Sequence, residues 1–251
     1  MKPFLGESIS GNPRDILHCC IAWYSGTFTE RRKNFPSWSW TGWQYALDEN
    51  SFWFDSARPY LDLFSVKALP MFRLSINSSR KYKLVVERVG LKPAGSARPL
   101  QNLEVRDSKM ISDVRKELGG KLEEIWVMDR PLLAFYTSIG RLQLRRSERI
   151  PQLKDSLGYR ISSDDLRTFD IWTCDSRKMP ITINLTTSQS GIIRRTNEFI
   201  AIQFHPSKGF RLLMIEWENG IAYRVQLAND YVSMDTWSHV VDLTSKLIII
   251  G

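Results

Sequence analysis

The stretch FRLLMIEWENGIAYRVQL, residues 210–227, constrains the fold more than any other part of the chain. Asn219-Gly220 is the preferred pair for a two-residue type I′ hairpin, because both central positions of that turn need positive φ. Apolar alternation flanks it on both sides. The resulting register opposes Glu216 to Tyr223, Trp217 to Ala222 and Met214 to Val225. One face then carries Met214, Glu216, Tyr223 and Val225, and the other carries Leu213, Ile215 and Trp217. Apolar residues on both faces predict a central hairpin covered from both sides. Under such a cover Glu216 needs a partner, since an unpaired buried carboxylate is costly. An ion pair with Arg224 or Arg211 is the expected one.

The rest of the chain reads as further strands with few helices. MFRLSIN and YKLVVERVGL are strands around the turn NSSRK; ITINLTT and EFIAIQF are strands by β-branched content and alternation. IWVMDRPLLAFYTSIGRLQLR is β-like, and KLIIIG is a closing strand. Helical character is confined to ISDVRKELGG, with Ser112 as N-cap, to a turn at ISSDDLRTF capped by Ser162 or Ser163, and to SMDTWSHVV. No repeat or low-complexity linker breaks the chain. The fold class is therefore mainly β, a sandwich or barrel with a few short helices. Residues 1–20 read as an N-terminal segment and 21–251 as one β-rich domain.

FPSWSWTGW, residues 35–43, holds three of the nine tryptophans. Pro36 suits the first position of a strand, where its missing N–H does least harm. Trp38 and Trp40 would then share one face while Ser37 and Ser39 take the other, and Gly42 permits a bend that re-aims Trp43. Such an aromatic cluster packs a core or walls a ligand cavity, and the sequence leaves both open.

Composition is that of a globular chain, 43% hydrophobic and 25% charged. The net charge of +8 sits in the middle. Residues 56–155 carry 20 Lys+Arg against 11 Asp+Glu, and the last 96 residues carry 10 against 10. These cations come singly or in twos and threes within no nucleic-acid module, so a solvated basic surface is the expectation and nucleic acid is not the expected partner. Three Cys, two of them adjacent, make no disulfide framework. No apolar run approaches the ~18 residues of a membrane span. The opening residues carry no secretory signal, so a cytoplasmic location is expected.

Chemistry-bearing motifs are absent. His18, His205 and His239 are scattered, and no Cys-x-x-Cys, nucleophile elbow or phosphate loop exists. No metal or cofactor is expected. Glu216, mid-strand with Tyr223 opposite, is the one acid–base pair the pattern offers.

RKNFPSWSWTGW resembles the Arg-rich lead and Pro-Ser-Trp-Ser-Trp-x-Gly-Trp motif of fungal heterokaryon-incompatibility (HET) proteins, where it lies downstream of the HET domain. PLLAFYTSIGRLQL, NEFIAIQF, LLMIEWENGIAYRVQL and TWSHVVDLTSKLIIIG are similar, in that order, to later segments of the same region. The likeness spans the chain from about Ile21. It implies a fungal origin, a β-rich domain and kinship with self/non-self recognition proteins. The N-terminal HET domain is not among these residues, so none of its chemistry carries over.

Two functions follow as expectations. The first is a recognition or regulatory module binding another protein. The second is a metal- and nucleotide-independent cyclase or isomerase, or a binder, of a hydrophobic fungal secondary metabolite such as a polyketide or terpenoid. In that case Trp38, Trp40 and Trp43 form the walls of the cavity and Glu216 and Tyr223 serve as the acid–base groups.

Overall fold

The computed structural model describes residues 8–9, 12–13, 28–31, 37, 43–45, 71–77, 83–89, 109, 112–117, 132–148 and 166–251. Two short pairs lie at the start, β1 (Ser8–Ile9) with β2 (Asn12–Pro13) and β3 (Phe28–Arg31) with β4 (Trp43–Tyr45). Nine strands then form one sheet. In chain order they are β5 (Met71–Asn77), β6 (Lys83–Val89), β7 (Leu132–Arg146), β8 (Leu166–Thr173), β9 (Lys178–Thr186), β10 (Asn197–His205), β11 (Gly209–Glu218), β12 (Ile221–Val232) and β13 (Thr244–Ile250). Helical turns are α1 (112–117), α2 (Thr187–Ser190) and α3 (Met234–Ser238). The chain is mainly β, and no described helix is long and apolar enough to cross a membrane.

The strand pairings close on themselves twice. β7, β8, β9, β12, β11 and β10 form a closed antiparallel ring. β7, β13, β12, β11 and β10 form a second ring, closed by the parallel contact of Ala222 with Ile250. β7, β10, β11 and β12 are common to both, and this wall has a core on each face. On one side Leu133, Phe135, Ile200, Ile202, Leu213, Ile215, Ile248 and Ile250 pack together. On the other Leu142, Phe169, Ile171, Ile181, Phe199, Leu212, Met214 and Trp237 do so. Alternate residues of one strand thus enter different cores, as the period of two requires.

The hairpin reading holds at its tip. Asn219 and Gly220 have φ of 53° and 82°, and Glu216 faces Tyr223 and Trp217 faces Ala222. It fails one step further along, where Met214 faces Gln226 rather than Val225 across a bulge. The extra residue in β12 lets Val225 reach the second core, to which Met214 also belongs.

Three other expectations are corrected. ISSDDLRTF was read as a helical turn, yet β8 starts at Leu166. Phe169 and Ile171 are buried on one face while Thr168 and Asp170 take the other, and pairing with β7 and β9 makes that alternation decisive. Ser112 lies within α1 rather than before it. The strand expected from Pro36 does not begin there, since Ser37 is in a turn and β4 starts at Trp43; Trp38 and Trp40 lie outside the described residues.

Ser37 is fully buried and acts as a clasp. Its N–H donates to the Gly251 oxygen at 2.9 Å, and its hydroxyl donates to the same atom. The Arg224 N–H donates to the Ser37 hydroxyl at 3.0 Å. Gly251 N–H in turn donates to Ala222 at 3.0 Å. This residue of the tryptophan-rich stretch therefore fastens the point where β13 meets β12.

Candidate functional site

β7 is 15 residues long and changes partners along its length. On one edge it pairs with β13 over Leu133–Ile139 and then with β8 over Leu142–Arg146. On the opposite edge it pairs with β5 over Leu132–Ala134 and with β10 over Ile139–Leu142. Phe135–Ser138 fall between those two partners. β10 carries a bulge between Ala201 and Gln203, directly after its last pairing with β7 at Ile200. Bulges bend a strand and raise its twist, and here the bend carries β10 away from β7.

A cleft of about 210 Å³ opens at the parting, lined by Thr137, Ser138, Ala201, Gln203, Phe204 and Phe210. The Thr137 hydroxyl donates to the Ala201 carbonyl, spanning the gap that backbone pairing leaves. Ser138 is positioned by α3, whose Trp237 Nε1–H donates to the Ser138 hydroxyl at 2.8 Å. Trp237 can lie there because the residue two positions along β7, on the same face, is Gly140, where a Cβ would stand 2.9 Å from Val240 Cγ1 and 3.0 Å from Trp237 Cη2. Phe204 and Phe210 form the apolar side, with ring centroids 5.1 Å apart.

The rim is cationic and aromatic. Gln203, Arg211 and Tyr231 form a cross-strand row over β10, β11 and β12, and Tyr231 donates to Gln203 Oε1 at 3.2 Å. Arg211 Cζ and Lys208 Nζ lie 5.2 and 5.6 Å from the Tyr231 ring centre, within cation–π range. His205 meets the same ring edge-on at 5.9 Å. Ser207 N–H donates to His205 Nδ1 at 3.2 Å, which makes Nδ1 the acceptor nitrogen. The cleft lining itself offers hydroxyls, an amide and rings. Among the described residues that line it there is no carboxylate, imidazole or amine, so these residues supply no group that titrates near neutrality.

Tyr136, beside the parting, donates to Asp113 of α1. Burial, reinforced by the Asp113 carboxylate, pushes its phenol up to about 12.

Glu216 is ion-paired with Arg194 at 3.2 Å and is 39% exposed. Its partner is thus neither Arg224 nor Arg211, because the carboxylate leans outward from the sheet instead of lying under a cover. Tyr223 is buried opposite it, 3.2 Å from the position a Gly251 Cβ would take. Trp43 opens β4. Among the described residues no aromatic cluster forms; the described ring pairs are Phe204 with Phe210 and His205 with Tyr231. The cleft residues escape sequence reading because they meet only through a strand that swaps partners. The one local hint is the run of smaller residues Thr137, Ser138 and Gly140 inside an otherwise bulky strand. No protein-family model, curated protein or solved structure matches the chain.

Proposed function

We propose that this chain is a non-catalytic recognition module, of the kind its resemblance to the C-terminal region of HET proteins implies, and that it holds another protein at the cleft between β7 and β10. The observation that carries this reading is the cleft itself. Its volume of about 210 Å³ falls below the ~300–1,000 Å³ usual for small-molecule sites and suits one inserted side chain. Its neutral lining takes an apolar or hydroxyl-bearing group, and the cations around Tyr231 favour an acidic residue nearby on the partner.

Host extract separated by size tests it. The macromolecular fraction is expected to raise the melting temperature of the chain, since a ligand that binds only the folded state stabilises it. Phe204→Ala removes that gain, whereas Val241→Ala, exposed and distant in sequence from the cleft residues, retains it. A gain from the small-molecule fraction alone would overturn the proposal.

A further inference from the structure

On the edge that β7 turns first to β5 and then to β10, Phe135–Ser138 is a slot without a strand. β5 pairs with β7 as far as Ala134, and β10 takes over at Ile139. Each end of the slot has a cause. Pro70 precedes β5 in the sequence and has no N–H, so β5 lacks a donor with which to prolong its ladder. β10 bulges between Ala201 and Gln203 and bends away. At about 3.4 Å per residue, the slot is roughly 13 Å long.

The direction of its backbone groups follows from strand alternation. The Ala201 carbonyl receives the Thr137 hydroxyl, so Ala201 turns its backbone groups to β7, as does Phe199 two residues back. Phe199 is paired with Gly140. Gly140, Ser138 and Tyr136 therefore present N–H and C=O to this edge, while Phe135, Thr137 and Ile139 present theirs to β13. Among the described residues no strand meets the edge groups of Tyr136 and Ser138. The cleft adjoins them, with Ser138 on this bank and Phe204 and Phe210 on the other, so the slot borders open space. An open strand edge that water reaches is also a template for an incoming strand.

We infer, resting on the recognition role proposed above, that the slot takes an extended segment of the partner protein as an added strand. It runs antiparallel to β7, like the two strands that flank it. The segment exchanges hydrogen bonds with the Tyr136 and Ser138 backbone. One apolar or hydroxyl-bearing side chain of the segment enters the cleft against Phe204 and Phe210. Ladder bonds then supply affinity and the cleft supplies specificity. A helical partner does not suit the slot, because its backbone bonds are already made internally.

Amide hydrogen exchange in the full chain, read residue by residue by NMR, tests this. In the free protein the Tyr136 and Ser138 amides exchange fast, while those of Phe135 and Thr137, held by β13, exchange slowly. The probe is a pool of end-capped pentapeptides with Glu at both ends and Val or Thr at the three central positions. It is expected to slow the Tyr136 and Ser138 amides about tenfold or more. The same pool N-methylated at alternate backbone positions keeps the side chains, loses the donors and leaves both amides fast. No slowing by the first pool, or equal slowing by the second, would overturn the inference. The macromolecular fraction of host extract separates it from the recognition role. Stabilisation by that fraction with both amides still fast keeps recognition and overturns strand addition, whereas no stabilisation overturns the recognition role itself.

Discussion

Ser37 shows how much structure one side chain can fasten. It bridges Gly251 and the Arg224 N–H across a separation of about two hundred residues, and it is fully buried. Ser37→Ala removes the hydroxyl acceptor of a buried N–H, so stability in urea is expected to fall by ~1–3 kcal/mol. Glu216 makes the opposite case. Its pair with Arg194 is largely exposed, so Glu216→Gln should change stability by less than ~1 kcal/mol. Tyr136 adds a pH dependence whose sign is fixed. Its folded pKa of about 12 lies above the ordinary 10.0, so its contribution is complete below pH 10 and is lost as pH rises towards 12. Comparing alkaline unfolding of the protein with that of Tyr136→Phe isolates this loss, which the variant should lack.

Elements add what residues alone cannot supply. Gly140 lies where β7 leaves β10, and a Cβ there meets both Val240 and Trp237. Gly140→Ala is expected to cost ~1–3 kcal/mol by overpacking and to displace α3 from Ser138. Gly220 has no heavy atom within 4 Å of the position a Cβ would take, so Gly220→Ala costs only the ~1 kcal/mol of its positive φ. Chemical denaturation of the two variants side by side checks that order. The same contrast explains what the sequence made legible. The turn at Asn219-Gly220, the strands and the two covered faces of β11 depend on local chemistry and period, and they were readable. The bulges at Val225 and at Ala201/Gln203 depend on which neighbours the strands meet, so the partner of Met214 was misread and the cleft was invisible. Leu166–Thr173 was misread at its start for a related reason, since Ser163-Asp164-Asp165 is good capping chemistry beside a strand that only pairing reveals.

At the scale of the whole molecule, two closed rings share one four-stranded wall. Leu212 and Leu213 are adjacent and both fully buried, yet they enter different cores. Leu212→Ala and Leu213→Ala are each expected to cost ~2–5 kcal/mol and to lower a single common transition, because neither core can open without the shared wall. Two separate transitions would show that the rings fold independently. The cleft proposed for recognition lies within this shared wall, where β10 parts from β7. The most direct test places a photo-crosslinking residue at Phe204 and, as a control, at Val241, and irradiates each in host extract. One discrete protein adduct from position 204, absent from 241, is the predicted result. Identical adducts from both positions, or none from 204, would contradict the account.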